Sequence, residues 1–297
     1  MPEAPAVVAR GLTVRYGPHA ALDGLDLEIP ATGTFGLLGR NGAGKTTTIR
    51  AIAGLVRPSE GSISVLGRNP SCTPSLRREL SFLFAEDGLL PLLSPRRNLE
   101  IWGRIGGLGR QEARRRADEA LDRVGLDPPG DEPVKYLSSG DRRVTALARA
   151  FLLPTKAVVL DEPTASLDPV RAAFVRRLLR ELARDRMIVL STHDLAEAED
   201  LCSKVAIIHH GRVAASGSPR DLGSPRSTKF RVRTETGNGV TMDGRRFEPG
   251  EDGFVELDSD VPAADLLSGL IASGNRIVEF GPACRSLDRV FLDLAGD

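Results

Sequence analysis

Hydrophobic residues follow two patterns in the first two thirds of the chain. Residues 6–16 and 25–29 alternate apolar with polar positions, which predicts half-buried strands. Short, continuous apolar runs predict fully buried strands, and amphipathic segments between them predict helices; the runs are residues 34–38, 157–160, 187–192 and 204–210. Residues 94–125 predict helices with a loop near Gly106 and Gly107. Buried strands alternating with helices indicate an α/β domain whose parallel sheet is covered on both faces.

The pattern changes in the Gly-, Pro- and Ser-rich segment at residues 217–228, where we place a domain boundary. Beyond it we predict three short strands, a helix at about residues 261–273, a strand at 276–280 and a closing helix at 286–296. The chain is therefore divided into a domain of residues 5–220 and a small accessory α+β domain of residues 221–297.

Composition narrows the classes of partner. The 40 basic and 40 acidic residues cancel, so the chain has no global attraction for nucleic acid, and we expect no nucleic-acid partner. Cys72, Cys202 and Cys284 have no paired spacing, which favours free thiols in a reducing compartment. The sequence shows neither a signal peptide nor an apolar run long enough to span a membrane. We therefore expect a cytosolic protein that reaches a membrane only through another chain.

The segment "GRNGAGKT" at residues 39–46 matches G-x-x-x-x-G-K-[ST] at every fixed position. It lies between a buried strand and a helix, the context that a phosphate-binding loop requires, and this argues against an ordinary glycine-rich turn. The glycines allow successive N–H groups to point inward at an anion. Lys45 can reach the β- and γ-phosphates of a nucleotide, and the Thr46 hydroxyl can bind Mg²⁺.

Two acids and a histidine follow neighbouring apolar strands. Asp161 and Glu162 end the run at residues 157–160, and His193 ends the next strand, so all three are expected at the carboxyl edge of the sheet, where ligands bind. Asp161 can hold Mg²⁺, and Glu162 can take a proton from an attacking water. His193 is a candidate contact to the γ-phosphate or to that water. Tyr16, after the first strand, is a candidate stacking partner for a base.

A second anion-binding segment is predicted at "LSSGD", residues 137–141, where Ser138, Ser139 and Gly140 precede a basic amphipathic helix. Together with "GRNGAGKT", "VVLDEP", "SLD" and "STHD", this segment resembles the nucleotide-binding subunit of an ATP-binding cassette (ABC) transporter over about residues 5–220. The C-terminal ending is similar to that of bacterial drug- or antibiotic-exporter subunits. The resemblance implies a P-loop NTPase cassette: a RecA-like core, a helical subdomain, an antiparallel β subdomain and a small C-terminal module.

The resemblance also implies an ATPase that uses ATP and Mg²⁺, with a role for each motif. Glu162, His193 and Lys45 would be catalytic, with Glu162 as general base and His193 as the switch. Thr46 and Asp161 would bind the metal, Tyr16 would stack on adenine, and Asp168 would couple two sites. The phosphates would be held by the loop residues, which are Asn41, Gly42, Ala43, Gly44, Lys45, Thr46 and Thr47.

Partners follow from the same resemblance. In the family, two cassettes pair head to tail, so Ser138, Ser139 and Gly140 would contact a nucleotide on a second nucleotide-binding subunit, identical or not. A membrane-spanning subunit would dock near residues 85–105 and would hold the protein at the cytoplasmic face of the cell membrane. We therefore expect a transport ATPase, and the resemblance to exporter subunits favours export as the direction.

Two departures from the family pattern keep an alternative open. In the family's signature segment, which is "LSSGD" at residues 137–141 here, the usual Gln is replaced by Asp141. The Gln expected near residue 85 is replaced by Ala85, with Glu86 next. Because strand side chains alternate, Glu86 is not expected to replace that Gln. A regulatory or catalytically weak cassette, paired with a different and active one, is therefore the second hypothesis. The chain has one copy of each motif and no long coiled coil, which argues against a two-cassette translation factor and a DNA-repair relative.

Overall fold

The computed structural model describes residues 4–126, 132–165, 167–223, 229–242, 244–250, 252–259 and 261–282. The chain separates into two compact units, Met1–Pro219 and Arg220–Asp297. None of the helices within these described ranges is long and apolar enough to cross a membrane.

A six-stranded sheet forms the centre of the first unit. Its order is β5 (Leu80–Leu83), β6 (Ala157–Asp161), β7 (Met187–Thr192), β3 (Gly33–Leu38), β8 (Lys204–His209) and β9 (Arg212–Gly217). The first five strands are parallel, and β9 pairs antiparallel with β8 at the edge. Every residue of β6 and β7 is buried, as a sheet covered on both faces requires. The predicted parallel α/β sheet is confirmed.

A three-stranded antiparallel sheet completes the core of this unit. Its order is β2 (His19–Ile29), β1 (Val7–Tyr16) and β4 (Glu60–Val65). Apolar side chains of this sheet join those of β3, β6 and β7 and of helix α1 (Lys45–Ile52) in one buried cluster. Helix α1 therefore lies between two sheets, which holds its first turn in place.

A helical region carries the signature segment. It contains α2 (Pro95–Ile105), α3 (Arg110–Arg123) and α4 (Ser139–Leu152). Their apolar faces, with Leu99, Leu121 and Ala148 fully or almost fully buried, pack together in a separate cluster. Along the chain, α5 (Pro169–Leu182) follows β6 and α6 (Leu195–Leu201) follows β7. A short helix, α7 (Pro219–Gly223), follows β9.

The second unit is a small α+β structure. Strands β13 (Val255–Asp258), β10 (Lys229–Thr234) and β14 (Ile277–Pro282) form an antiparallel sheet in that order. Strands β11 (Val240–Met242) and β12 (Arg245–Phe247) form a hairpin, and α8 (Ala263–Ala272) packs Leu266 and Leu270 into the shared core. Strand β12 was not predicted from the sequence. The closing helix predicted at residues 286–296 lies outside the described residues.

Candidate functional site

The loop between β3 and α1 has the backbone of an anion cradle. Gly42 and Gly44 have φ angles of 82° and 116°, a region that residues with a side chain rarely adopt. A Cβ atom on Gly44 would lie 2.8 Å from the carbonyl oxygen of Ala21, so this position also needs glycine for space. The loop and the start of α1 therefore keep the conformation that the sequence motif requires.

Lys45 extends under this loop rather than into solvent. Its Nζ donates to the carbonyl oxygens of Gly39, at 2.6 Å, and Arg40, at 3.1 Å. Burial lowers the pKa of Lys45, and the negative charges of Glu162 and Asp161 act in the opposite direction. The ammonium group thus lies inside the phosphate loop and within the electrostatic reach of both acids.

Asp161 connects the first turn of α1 to the end of β6 and β7. The Thr46 hydroxyl donates to Asp161 Oδ2 at 2.9 Å, and the Ser191 hydroxyl donates to Asp161 Oδ1. Only 2% of Asp161 is exposed, so this carboxylate is held in one orientation beside Thr46. A hydroxyl and a carboxylate oxygen in contact are the hard oxygen ligands that Mg²⁺ prefers.

Glu162 has an unusual backbone conformation for a residue with a side chain, with φ at 49°. Its N–H donates to the carbonyl oxygen of Ser191 at 3.1 Å, and its Oε1 lies 3.1 Å from Nδ1 of His193. This turn at the end of β6 points the carboxylate toward the loop that follows β7, where His193 lies. Glu162 and His193 are therefore in contact, as expected for residues at the same edge of the sheet.

Arg143, in the second turn of α4, was missed as a site residue. Its NH1 group donates to the carbonyl oxygen of Phe84 at 2.8 Å, and its NH2 group donates to that of Glu162 at 2.7 Å. Further contacts reach the carbonyl oxygens of Ala85, Asp161 and Pro163. Burial lowers the pKa of Arg143, against the opposing effect of Asp161, Asp87 and Glu162. The only signal in the sequence is a second arginine after Asp141, which resembles an ordinary surface charge.

The segment around Ala85 differs from the sequence-based expectation. Strand β5 ends at Leu83, so the alternation of strand side chains does not extend to Ala85 and Glu86, and the argument that set Glu86 apart is wrong. Both residues line one cavity of about 800 Å³ together with Thr46, Asp161 and Trp102. The remaining walls include Phe82, Phe84, Ile105 and Leu153, which make the cavity largely apolar.

The signature residues Ser138, Ser139 and Gly140 form the start of α4. Ser138 is the N-cap, and its hydroxyl oxygen accepts the N–H of Asp141 at 3.1 Å. Ser138 and Ser139 are exposed, and their neighbour Asp141 pairs with Arg171 of α5. The signature segment thus makes polar contacts through Asp141, to Ser138 and to α5, whereas Thr46 of the phosphate loop contacts Asp161. The two predicted anion-binding segments therefore have different polar neighbours.

Asp168 and Tyr16 complete the predicted set. Asp168 is the N-cap of α5, where its Oδ1 accepts the N–H groups of Val170 and Arg171, both at 3.0 Å. Tyr16 ends β1 and is 46% exposed. It pairs with His19 in the hairpin that leads to Ala21, the residue against which Gly44 packs. The hairpin that carries the exposed Tyr16 thus continues into the strand that passes Gly44.

Residues 22–165 match the ABC transporter family. The Nod factor export ATP-binding protein I of Cupriavidus metallidurans is 34% identical, over 97% of this chain and 96% of its own length. The chain belongs to the ATP-binding proteins of ABC transporters. A daunorubicin resistance ATP-binding protein, DrrA3 of Streptomyces coeruleorubidus, is also 34% identical, over 98% of this chain and 96% of its own.

Solved structures agree with this assignment. The protein cbiO1 of Clostridium perfringens, part of the ABC transporter complex cbiONQ, superimposes with a TM-score of 0.66 at 28% identity, over 74% of this chain and 91% of its own. The cassette is thus an ATP-binding subunit and an ATPase of this family. The fold implied by the sequence resemblance, a P-loop NTPase cassette, is confirmed.

Proposed function

We propose that this cassette hydrolyses Mg-ATP to drive export of an organic molecule through a separate membrane-spanning subunit. The proposal rests on two pairs of side chains that are in contact at the same edge of the main sheet. Thr46 contacts Asp161 at 2.9 Å, and Glu162 contacts His193 at 3.1 Å, next to the buried ammonium group of Lys45.

The phosphate loop would bind the nucleotide, with the N–H groups of Asn41 to Thr47 directed at its phosphates. Lys45 would exchange its two carbonyl contacts for phosphate oxygens, which carry more negative charge. Mg²⁺ would be held by Thr46 and Asp161 and would act as a Lewis acid on the phosphate oxygens. Two protein oxygens are enough for this ion, because Mg²⁺ usually keeps several waters and binds phosphates directly.

Glu162 would act as the general base by taking a proton from the water that attacks the γ-phosphate. The bond between that phosphorus and the β–γ bridging oxygen then breaks, which yields ADP and inorganic phosphate. His193 would hold the Glu162 carboxylate and contact the γ-phosphate region. These roles use the observed Glu162–His193 contact and the positive φ of Glu162, a strained feature of the kind that occurs at functional sites.

The exposed signature would serve a second cassette. Ser138, Ser139 and Gly140 would meet a nucleotide bound to the phosphate loop of that partner, identical or not, because a helix N-terminus favours anions. Tyr16 would stack on adenine, and Asp168, at the start of α5, would link the two sites. ATP would then act as a bridge between two copies of the fold.

The cavity of about 800 Å³ would receive the membrane-spanning subunit. Its apolar wall, including Trp102 and Ile105, suits a hydrophobic segment, and Thr46 and Asp161 also line it. This docking would place the cassette at the cytoplasmic face of the cell membrane. The unit of residues 220–297 would act as an accessory module in partner selection or dimer stability.

Export is supported by the relatives, one named for Nod factor export and one for daunorubicin resistance. Both are similar over nearly the whole chain, second unit included. They favour an exporter ATPase over the alternative of a regulatory cassette with little activity.

The test is steady-state ATPase activity of the purified chain with Mg-ATP, with phosphate release as the readout. Glu162→Gln should retain ATP binding and lower turnover by about a hundredfold or more, since general-base catalysis contributes about 10² to 10⁴. Lys45→Ala should instead weaken ATP binding itself. Glu119→Gln, which changes an exposed acid of α3, is the control and should keep the wild-type rate. A Glu162→Gln variant with normal turnover would place the general base elsewhere.

A further inference from the structure

The signature aspartate is engaged by donors of its own chain. Asp141 Oδ2 accepts the Ser138 hydroxyl at 2.6 Å, and Asp141 Oδ1 lies 2.7 Å from NH1 of Arg171. One carboxylate oxygen therefore accepts a hydrogen bond, and the other forms an ion pair with a cation. A carboxylate beside the N-terminus of an anion-binding helix opposes the approach of phosphate, so its charge has to be offset.

Arg171 lies across the signature backbone. An added Cβ atom on Gly140 would come within 2.9 Å of Arg171 NH1, so the guanidinium occupies the space that a side chain at this position would take. Its Nε also lies 3.5 Å from Asp168 Oδ2. The arginine thus connects the start of α4 to the start of α5 and remains 42% exposed on the side chain.

The hydroxyl of Ser138 also forms its hydrogen bonds within the same chain. Its hydrogen is donated to Asp141, and its oxygen accepts the N–H of the same residue, so the hydroxyl has no hydrogen left to donate to a phosphate in this arrangement. Donors that remain at this surface include the Ser139 hydroxyl, the first backbone N–H groups of α4 and the guanidinium of Arg171. Among these donors, Arg171 is the cation that lies directly against Asp141.

We propose that Arg171 is a charge-compensating residue of the signature surface, which neutralises Asp141 and so allows the triphosphate held by a second cassette to approach. The proposal rests on the function proposed above, in which the signature faces a partner's nucleotide. Without Arg171, two carboxylates, Asp141 and Asp168, would face that triphosphate with no cation between them. With Gln in place of Asp141, as the family usually has, the requirement for Arg171 should largely disappear.

The experiment measures ATP-dependent dimerisation of the full chain by analytical ultracentrifugation, in a Glu162→Gln background that preserves bound ATP. Arg171→Gln should weaken the dimer about tenfold, or about 1.4 kcal/mol. Arg171→Lys should retain most of the dimer, since it keeps the charge, and Asp141→Gln combined with Arg171→Gln should restore it. The control is Arg180→Gln, which removes an arginine of similar exposure on the same helix, paired with Asp200 away from the signature.

Each result supports or overturns a distinct statement. Binding of a fluorescent ATP analogue to the monomer should be equal in all variants, because Arg171 acts on the partner's nucleotide. A dimer of normal strength in Arg171→Gln, or a loss that Asp141→Gln does not reverse, overturns the proposal alone. A Glu162→Gln parent that stays monomeric with saturating ATP overturns the shared-nucleotide function and this proposal together.

Discussion

Replacement of Arg143 is expected to lower both the stability of the protein and its ATP turnover, and the two effects can be measured separately. Arg143→Met keeps the length of the side chain and removes every donor. The carbonyl oxygens of Phe84, Asp161 and Glu162 would then be buried with one donor fewer each. Each buried carbonyl oxygen that loses a donor costs about 1 to 3 kcal/mol of stability. Removal of the buried guanidinium charge also removes its desolvation cost, which offsets part of this loss. We therefore expect the free energy of unfolding to fall by about 3 kcal/mol.

The unit that contains Arg143 spans residues Met1–Pro219. In a domain of this size, 1 kcal/mol shifts Tm by about 2 to 4 °C, so the expected decrease is about 6 to 12 °C. The measurement is thermal unfolding followed by circular dichroism. Arg142→Met is the matched control: Arg142 is the preceding residue, its side chain is 41% exposed, and its ion pair with Asp87 should contribute about 1 kcal/mol at most.

Turnover should fall more than stability alone explains. Arg143 holds the carbonyl oxygens of Glu162 and of its neighbours, so its loss allows the proposed general base to move, and a displacement of about 1 Å can cost about a hundredfold in rate. We expect kcat to fall about ten- to a hundredfold at a temperature where the variant is folded, with KM for ATP within about twofold of wild type. Arg143→Lys should recover part of kcat. A normal kcat in a destabilised Arg143→Met variant would refute the positioning role.

Two further outcomes test other parts of the site. Ala85→Gln should raise ATP turnover with little change in ATP affinity, because an amide in the cavity beside Thr46 can orient water where a methyl cannot. A large loss of turnover in Glu86→Ala, with no gain of turnover in Ala85→Gln, would show that Glu86 has taken this role. A chain that ends at residue 222 should still bind Mg-ATP, measured by calorimetry, because the phosphate and metal motifs all lie in the first unit; loss of binding by a folded truncation would contradict this.

Local sequence was enough to predict the parts of the site that depend on one strand and the turn after it. Gly44, Lys45 and Asp161 lie where a strand–loop–helix pattern and a strand end put them. Their chemistry follows from backbone angles and residue type within a few positions. The edge of a parallel sheet then brings Glu162 and His193 together, since both strands point the same way.

Contacts between distant segments could not be predicted in this way. Arg143 reaches Phe84, 59 residues earlier in the chain, and Asp141 pairs with Arg171 of the following helix. Both depend on how α4 packs against its neighbours, which is decided by the buried side chains of the helix. The alternation argument for Glu86 failed for a related reason: the end of β5 is set by its pairing with β6, which stops at Leu83.

Helix α4 offers a physical route between the proposed docking cavity and the site of hydrolysis. Its start carries Ser138, Arg143 holds the ends of β5 and β6, and Arg149 in its last turn lies over the Trp102 ring at 4.9 Å. A helix of 14 residues is about 21 Å long and moves nearly as a rigid body. A shift at Trp102 is therefore expected to reach Glu162 through Arg143 even though Ala85 lacks an amide. The Ala85→Gln variant tests this route. An unchanged basal rate of ATP hydrolysis would mean that the route through α4 is sufficient by itself. The increase in rate predicted above would mean that α4 compensates for the missing amide only in part.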